Sequence, residues 1–117
     1  MPARRTPIKR ESDRHRAQRP TRTAVVARVF ARDGWRCQFV AHCALELEPF
    51  RHSLLPVLCH GRLDPHEIIP RSAWKLGYLV DMNVVTICRS HHHWIDDHPE
   101  QAHRIWLHGY SYERPPT

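Results

Sequence analysis

The sequence has no long run of apolar residues, and it contains only four cysteines. Crossing a bilayer takes about 20 consecutive apolar residues, and the longest apolar stretch here is far shorter. No apolar segment follows the basic N-terminal residues, as a secretory signal would require. We therefore expect a cytoplasmic protein without membrane association. In that compartment cysteines stay reduced and bind metal more readily than they form disulfides.

The length of the chain limits the size of its hydrophobic core. A chain of 117 residues suits one small domain with a tail, and a domain of this size buries only a limited hydrophobic core. Such a domain gains stability from a cross-link or a bound metal. The cysteines are the candidates for supplying it.

Basic charge is concentrated at the N-terminus. Residues 1–22 contain eight Lys or Arg and two acids, a net of 8 − 2 = +6, and the rest of the chain has ten of each sign. This segment has prolines and no apolar periodicity, so it is predicted to be a disordered arm that binds nucleic-acid phosphates. A solvated tail is the alternative. The candidate phosphate ligands are Arg4, Arg5, Lys9, Arg10, Arg14 and Arg16.

Metal-binding residue types recur at short spacings further along the chain. Cys88 and His91 are separated by two residues, so both ends of a tight turn can reach one tetrahedral ion. Cys37 would supply a second half-site with either Cys43 or Cys59. Buried cysteines acting as small apolar residues are the alternative.

An amphipathic helix of about three turns is predicted after the arm. Val25, Val29 and Phe30 recur at helical spacing. Thr23 is the candidate N-cap and Gly34 the candidate stop. We expect its apolar stripe to support the domain beneath the zinc-binding end.

The stretch from Cys59 to His93 holds five of the eleven histidines. His66 lies on a predicted strand, Asp64 to Ile69, that ends because Pro70 cannot continue it. A final helix is predicted from about Ser90 to Asp97, with a break before Pro99 and a second short helix to about Leu107.

These residues resemble the HNH endonucleases, the ββα-metal nucleases, and within them the small HNH proteins of phages and actinobacteria. The segment HEIIPRS (His66–Ser72) resembles the strand with the first histidine. NVVTIC (Asn83–Cys88) resembles the asparagine segment, and His91 with His92 resembles the end of the motif. The resemblance covers about residues 29–99.

The resemblance implies an α+β fold: a small ββα-metal (HNH) domain, residues 23–110, with a structural zinc site. A support helix and the basic arm, 1–22, would precede its hairpin, and a tail, 111–117, would follow. The family's spacing favours Cys59 over Cys43, since Cys59 lies seven residues before His66. Residues 38–58 would then be an insertion. The implied zinc ligands are Cys37, Cys59, Cys88 and His91.

The resemblance also implies catalytic roles. His66 and His92 would bind a catalytic divalent cation, Mg²⁺ or Mn²⁺. Glu67 occupies the position of the general base, where the family usually has histidine. Asn83 would orient the strand that carries the base by bonding across the loop.

Two details of this assignment have alternatives. Asp96 lies four residues after His92 and would be either an additional ligand or a partner that holds His92. A competing register makes Asp64 the ligand and His66 the base, since those two lie on one face of a strand.

The implied function is metal-dependent hydrolysis of DNA phosphodiester bonds. No base-reading element is visible, so we expect little sequence specificity. The expected partners are DNA and a phage packaging or other DNA-processing protein. Two alternatives are an inactive zinc-stabilised DNA-binding module, which Glu67 favours, and an adaptor in phage DNA packaging whose basic tail docks on a partner.

Overall fold

The computed structural model of the chain describes residues 12–43 and 58–115, which form an α+β domain. Arg4, Arg5, Lys9 and Arg10 lie outside these residues. No helix in the described part is long and apolar enough to cross a membrane. The helices are α1 (Asp13–Arg32), α2 (Phe39–Cys43), α3 (Arg89–Asp97) and α4 (Pro99–Arg104), and the strands are β1 (Leu63–Glu67) and β2 (Val84–Cys88). Short 3₁₀ turns span Gly77–Leu79, Asp81–Asn83 and Ser111–Glu113.

Helix α1 begins earlier than the sequence pattern predicts. The side chain of Ser12 caps it by accepting a hydrogen bond from the backbone N–H of His15, at 3.2 Å. Thr23 is therefore inside the helix, and the expected boundary between a disordered arm and the domain is wrong for residues 13–22. The predicted stop is confirmed, because Gly34 follows the helix with a left-handed φ of 66°.

Long-range polar contacts hold the first half of α1. The hydroxyl of Tyr78 donates to the side chain of Gln18. The Arg22 guanidinium donates to the backbone carbonyl of Tyr78, at 2.6 Å. These partners are 60 and 56 positions apart in sequence. The composition of residues 13–22 does not indicate contacts with residues so distant in sequence. Composition alone therefore predicted disorder for this segment.

The apolar face of α1 packs at one end of the hairpin. Val25 and Val29 are fully buried against Val84, the first residue of β2. Cys88 is at the other end of this strand, roughly 13 Å away at about 3.3 Å per residue. The apolar face of α1 therefore packs at the Val84 end of β2, and the expected position of the helix beneath the zinc-binding end is not confirmed.

Strands β1 and β2 form an antiparallel hairpin in which Leu63 faces Cys88 and Glu67 faces Val84. Pro65 lies opposite Thr86. The N–H of Thr86 donates to the Asp33 carboxylate, and its carbonyl accepts from Gln38, at 3.0 and 2.9 Å. Both backbone groups of Thr86 thus point away from β1. Proline's missing N–H costs no ladder hydrogen bond at this position.

Helix α3 follows β2 without a loop, and α4 begins at Pro99 after a break, as the sequence predicted. The main apolar core lies between these helices and the hairpin. It contains Val85 and Ile87 of β2 and Ile95 of α3. This packing fixes α3 against the hairpin, so that residues of both elements face common sites.

Candidate functional site

Three cysteines and one histidine come together where β2 joins α3. The ligand atoms of Cys37, Cys59, Cys88 and His91 all lie within 4.8 Å of one another. Within residues 12–43 and 58–115, this is the one such group of three or more metal-binding side chains. The predicted set of four is brought together as expected.

The distances within this cluster match those of a tetrahedral zinc site. The three sulfur atoms lie 3.5, 3.5 and 3.2 Å from Nδ1 of His91. Zn–S and Zn–N bonds of about 2.3 and 2.05 Å at a tetrahedral angle place sulfur and nitrogen about 3.5 Å apart. The donor set and these sulfur–nitrogen distances are consistent with a structural metal site such as zinc. Phe39 stacks on the His91 ring with centroids 3.9 Å apart and fixes its plane.

Ser90 holds the Cys59 segment against α3. Its hydroxyl donates to the carbonyl of Leu58 at 2.6 Å and accepts from the N–H of His60 at 3.0 Å. These bonds bracket Cys59, so Ser90 positions a ligand that lies more than thirty residues away in sequence. The sequence offered no signal for this role.

The ligand thiols have different proton affinities. Burial raises the pKa of Cys37 to about 12. Burial also acts to raise the pKa of Cys88, but hydrogen bonding at its sulfur, including that with the backbone N–H of His91, outweighs it and lowers that pKa to about 6. Cys88 is therefore the thiol best prepared to meet a metal ion as thiolate.

Cys43 is outside the cluster. It is buried in the apolar core with Phe39, and the preference for Cys59 over Cys43 is confirmed. All four cysteines lie in the described part of the chain, and none of them forms a disulfide.

His66 and His92 lie close together in an edge-to-face arrangement, with ring centroids 5.1 Å apart. Nε2 of His66 lies 2.5 Å from the carbonyl oxygen of Leu107. A carbonyl only accepts, so Nε2 carries the hydrogen. Burial lowers the pKa of His66 to about 4, so its ring is neutral near pH 7 and its Nδ1 keeps a lone pair.

His92 has the complementary arrangement. Its Nδ1 lies 3.2 Å from the Asp64 carboxylate, which also contacts Arg62 and Arg89 at 3.2 and 3.1 Å. Nδ1 of His92 is therefore the donor, and in the neutral ring Nε2 keeps the lone pair. Each histidine thus has one nitrogen held by an outer partner, as ligating histidines typically do.

Both histidines open onto one cavity of about 420 Å³. Glu67 and Asp96 also line it, so it brings together most of the predicted catalytic residues. His108 is a lining residue that the sequence gave no reason to select.

Glu67 is held by arginines at the mouth of this cavity. Its Oε1 accepts from Nε of Arg71 at 2.8 Å and lies 3.9 Å from the Arg22 guanidinium. One carboxylate oxygen is thus already occupied. Activation of a water by Glu67 would use the other oxygen or the remaining lone pair of Oε1.

Asn83 ties the loop after β1 to the start of β2. Its side chain accepts from the N–H of Ile69 at 2.9 Å and donates to the carbonyls of Ile69 and Gly77 at 3.1 and 3.2 Å. A Cβ on Gly77 would lie 2.7 Å from the Asn83 amide, so this close approach requires glycine. Asn83 acts on the loop and is not among the residues that line the cavity.

Arg14 and Arg16, the two predicted phosphate ligands within the described residues, lie on different faces of α1. Arg14 lines a groove with Lys75 and Tyr78. Arg16 forms an exposed pair with Asp13, at 3.8 Å. The sequence treats the two alike, and only the fold separates them.

Comparisons of the chain with protein-family models, with curated proteins and with solved structures return no match. Function is therefore inferred from the geometry of the site.

Proposed function

We propose that this protein is a metal-dependent DNA endonuclease of the HNH type that hydrolyses phosphodiester bonds with little sequence specificity. The observation that carries the proposal is the pair His66 and His92. Their rings lie 5.1 Å apart on one cavity, and each has one nitrogen held by an outer acceptor. Two imidazoles that each have one ring nitrogen held by an outer acceptor are suited to bind a divalent cation through the other nitrogen.

The proposed ligands of the catalytic cation, Mg²⁺ or Mn²⁺, are the ring nitrogens of His66 and His92, with the carboxylate of Asp96 in the same cavity as the candidate third donor. A bound divalent cation supplies Lewis-acid stabilisation of the phosphate and of the leaving oxygen. The Leu107 carbonyl and the Asp64 carboxylate favour the tautomers that leave a lone pair on Nδ1 of His66 and on Nε2 of His92. Asn83 fixes the loop that follows β1 and so the orientation of the strand that carries His66.

Glu67 is the proposed general base. It lines the cavity beside His66, and its Oε2 would accept the proton of the attacking water while Arg71 holds Oε1. General-base catalysis contributes about 10²–10⁴-fold, so most of the acceleration must come from electrostatic stabilisation of the phosphate.

The proposed structural zinc joins three separate parts of the chain. Cys37 follows α1, Cys59 precedes β1, and Cys88 with His91 lies at the start of α3. Metal binding would supply folding free energy that the small core lacks. Correct placement of His92, the residue after a zinc ligand, would depend on it.

A plasmid-nicking assay tests the proposed activity. Purified protein should convert supercoiled plasmid into nicked or linear DNA when Mg²⁺ or Mn²⁺ is added, and not in their absence. His66→Ala and His92→Ala should abolish cleavage. His93→Ala, an exposed neighbour on α3, is the matched control and should keep full activity. Cleavage by all three variants alike would contradict the proposal.

A zinc-stabilised DNA-binding module without activity, for example an adaptor in DNA packaging, is the second candidate. The pairing of Glu67 with Arg71 at 2.8 Å favours it, because this contact occupies one oxygen of the proposed base. DNA binding by the wild-type protein without cleavage under any metal condition would select this alternative.

A further inference from the structure

A basic groove runs between the first half of α1 and the segment Arg71–Tyr78. It consists of two adjoining cavities of about 200 and 280 Å³. Both are lined by His15, Gln18, Arg71 and Tyr78. We name this feature the α1 groove.

The lining of the α1 groove is strongly cationic. None of the lining residues that the structure describes is acidic. Glu67, at the inner end, is the acid that contacts two of the groove's arginines. Such an imbalance attracts a polyanion. The cationic lining residues are Arg14, Arg19, Arg22, Arg71 and Lys75.

The α1 groove has a fixed shape. The Arg71 guanidinium lies over the Tyr78 ring, 4.2 Å from its centroid. Arg22 donates to the Tyr78 carbonyl, and Gln18 accepts from the Tyr78 hydroxyl. Tyr78 is buried beneath these groups. It therefore offers no ring face on which a base could stack, and the groove presents charge rather than an aromatic platform.

The α1 groove leads into the cavity of His66 and His92. Arg71 lines both features, and its Nε bonds to Glu67, which lines the cavity. A chain of phosphates that follows the groove would therefore reach the cavity of the histidine pair past Arg71, beside its ion-pair partner Glu67.

We propose that the α1 groove binds the sugar-phosphate backbone of the DNA strand on one side of the phosphate to be cut. This inference rests on the proposed nuclease function and specifies where its substrate lies. Arg14 and Arg22 are about 12 Å apart along the helix, at 1.5 Å per residue. A groove of this length can contact the phosphates of only a few successive nucleotides of one strand.

The test compares a double variant, which removes two cations from the groove, with a single variant that removes one cation from another face of α1. The variant Arg14→Gln/Lys75→Gln removes two exposed cations of the groove. The control is Arg16→Gln. Arg16 is two residues from Arg14 and so about 200° around the helix, where it pairs with Asp13. Full-length proteins are titrated into a fluorescein-labelled DNA duplex, without added Mg²⁺ or Mn²⁺, and anisotropy is followed from low to moderate salt.

Each phosphate contact contributes about 0.9 to the slope of log K against log salt concentration. The double variant should therefore lower the slope by between about 1 and 2, equally for duplexes of different sequence. Arg16→Gln should leave it unchanged. Circular dichroism should show that all variants keep the wild-type helix content.

The results distinguish a failure of the groove proposal from a failure of the nuclease proposal. Loss of slope in the double variant supports the groove even if no cleavage is ever seen, in which case the nuclease proposal alone fails. Equal slopes for the double variant, the control and the wild type overturn the groove and leave the nuclease proposal standing. Tight binding of a poly-glutamate peptide in preference to DNA would also overturn it.

Discussion

Oδ2 of Asp64 lies 3.2 Å from Nδ1 of His92 and joins the second residue of β1 to the fourth residue of α3. Arg89 and Arg62 contact the same carboxylate. The pair fixes both the tautomer of His92 and its distance from His66. Asp64 is thus a positioning residue for the proposed cation ligand.

We expect Asp64→Asn to weaken the cation site without removing a ligand. Loss of an outer partner of this kind typically costs 10–100-fold in metal affinity or activity. The Mn²⁺ concentration for half-maximal plasmid cleavage should rise by about that factor, and cleavage should recover at saturating Mn²⁺. Complete and unrecoverable loss would instead support the register in which Asp64 is itself a ligand and His66 the base.

Zinc should be present at about one ion per chain. Structural zinc binding is worth about 10–16 kcal/mol in zinc-finger peptides at neutral pH, more than the stability of an ordinary small domain. Cys88→Ser should therefore lose both metal and fold. Elemental analysis and thermal melting measure the two effects, and a metal-free protein with wild-type thermal stability would argue against the site.

Cys43→Ser and Cys59→Ser should differ sharply. Cys43 packs in the apolar core, and a hydroxyl buried there costs about 1–3 kcal/mol. This variant should keep its zinc. Cys59→Ser should release zinc and unfold, because it removes one of four ligand atoms. Zinc content in the two variants decides between the pairings.

Glu67→Gln should reduce cleavage by about 10²–10⁴-fold if Glu67 is the base. The amide keeps an acceptor for Arg71, so fold and DNA binding should be little changed. Glu67→His should restore or raise cleavage near neutral pH, and His66→Ala should abolish it. A fully active Glu67→Gln protein would exclude Glu67 as the base.

Two truncations should have different effects. Deleting residues 1–11 removes four Lys or Arg but leaves Ser12 and the contacts of Gln18 and Arg22 with Tyr78. It should lower the salt slope of DNA binding by at most about 3.6 and leave the melting temperature unchanged. Deleting residues 1–22 should also destabilise the domain, by about 1–3 kcal/mol for the buried polar groups left unpaired. Equal melting temperatures would contradict the role assigned to the first half of α1.

Local sequence predicts well those elements whose ends are marked by a glycine or a proline. Gly34 ends α1 through a left-handed φ, and Pro99 separates α3 from α4. Cys88 and His91 are separated by two residues, and this spacing places both side chains in one cluster. In each case the deciding physics lies within a few residues, so a single sequence contains it.

The errors concern interactions between distant segments. Residues 13–22 have the composition of a disordered arm, yet Tyr78 and Glu67 hold them as part of a helix. The pairing of Glu67 with Arg71 and Arg22 was equally unforeseen. The net charge and the composition of a segment do not indicate which residue elsewhere in the chain each side chain will contact.

The sequence by itself determined the donor types and the short spacings of this protein: four cysteines, the two-residue gap between Cys88 and His91, two further histidines at His66 and His92, and an excess of positive charge near the N-terminus. These follow from covalent chemistry and local geometry. Only the tertiary structure decided that Cys59 rather than Cys43 joins the cluster, that Leu107 and Asp64 set the tautomers of His66 and His92, and that Arg14 faces the α1 groove and Arg16 does not. Each of these outcomes depends on contacts between segments that are far apart in the sequence, and a local sequence pattern does not indicate such contacts.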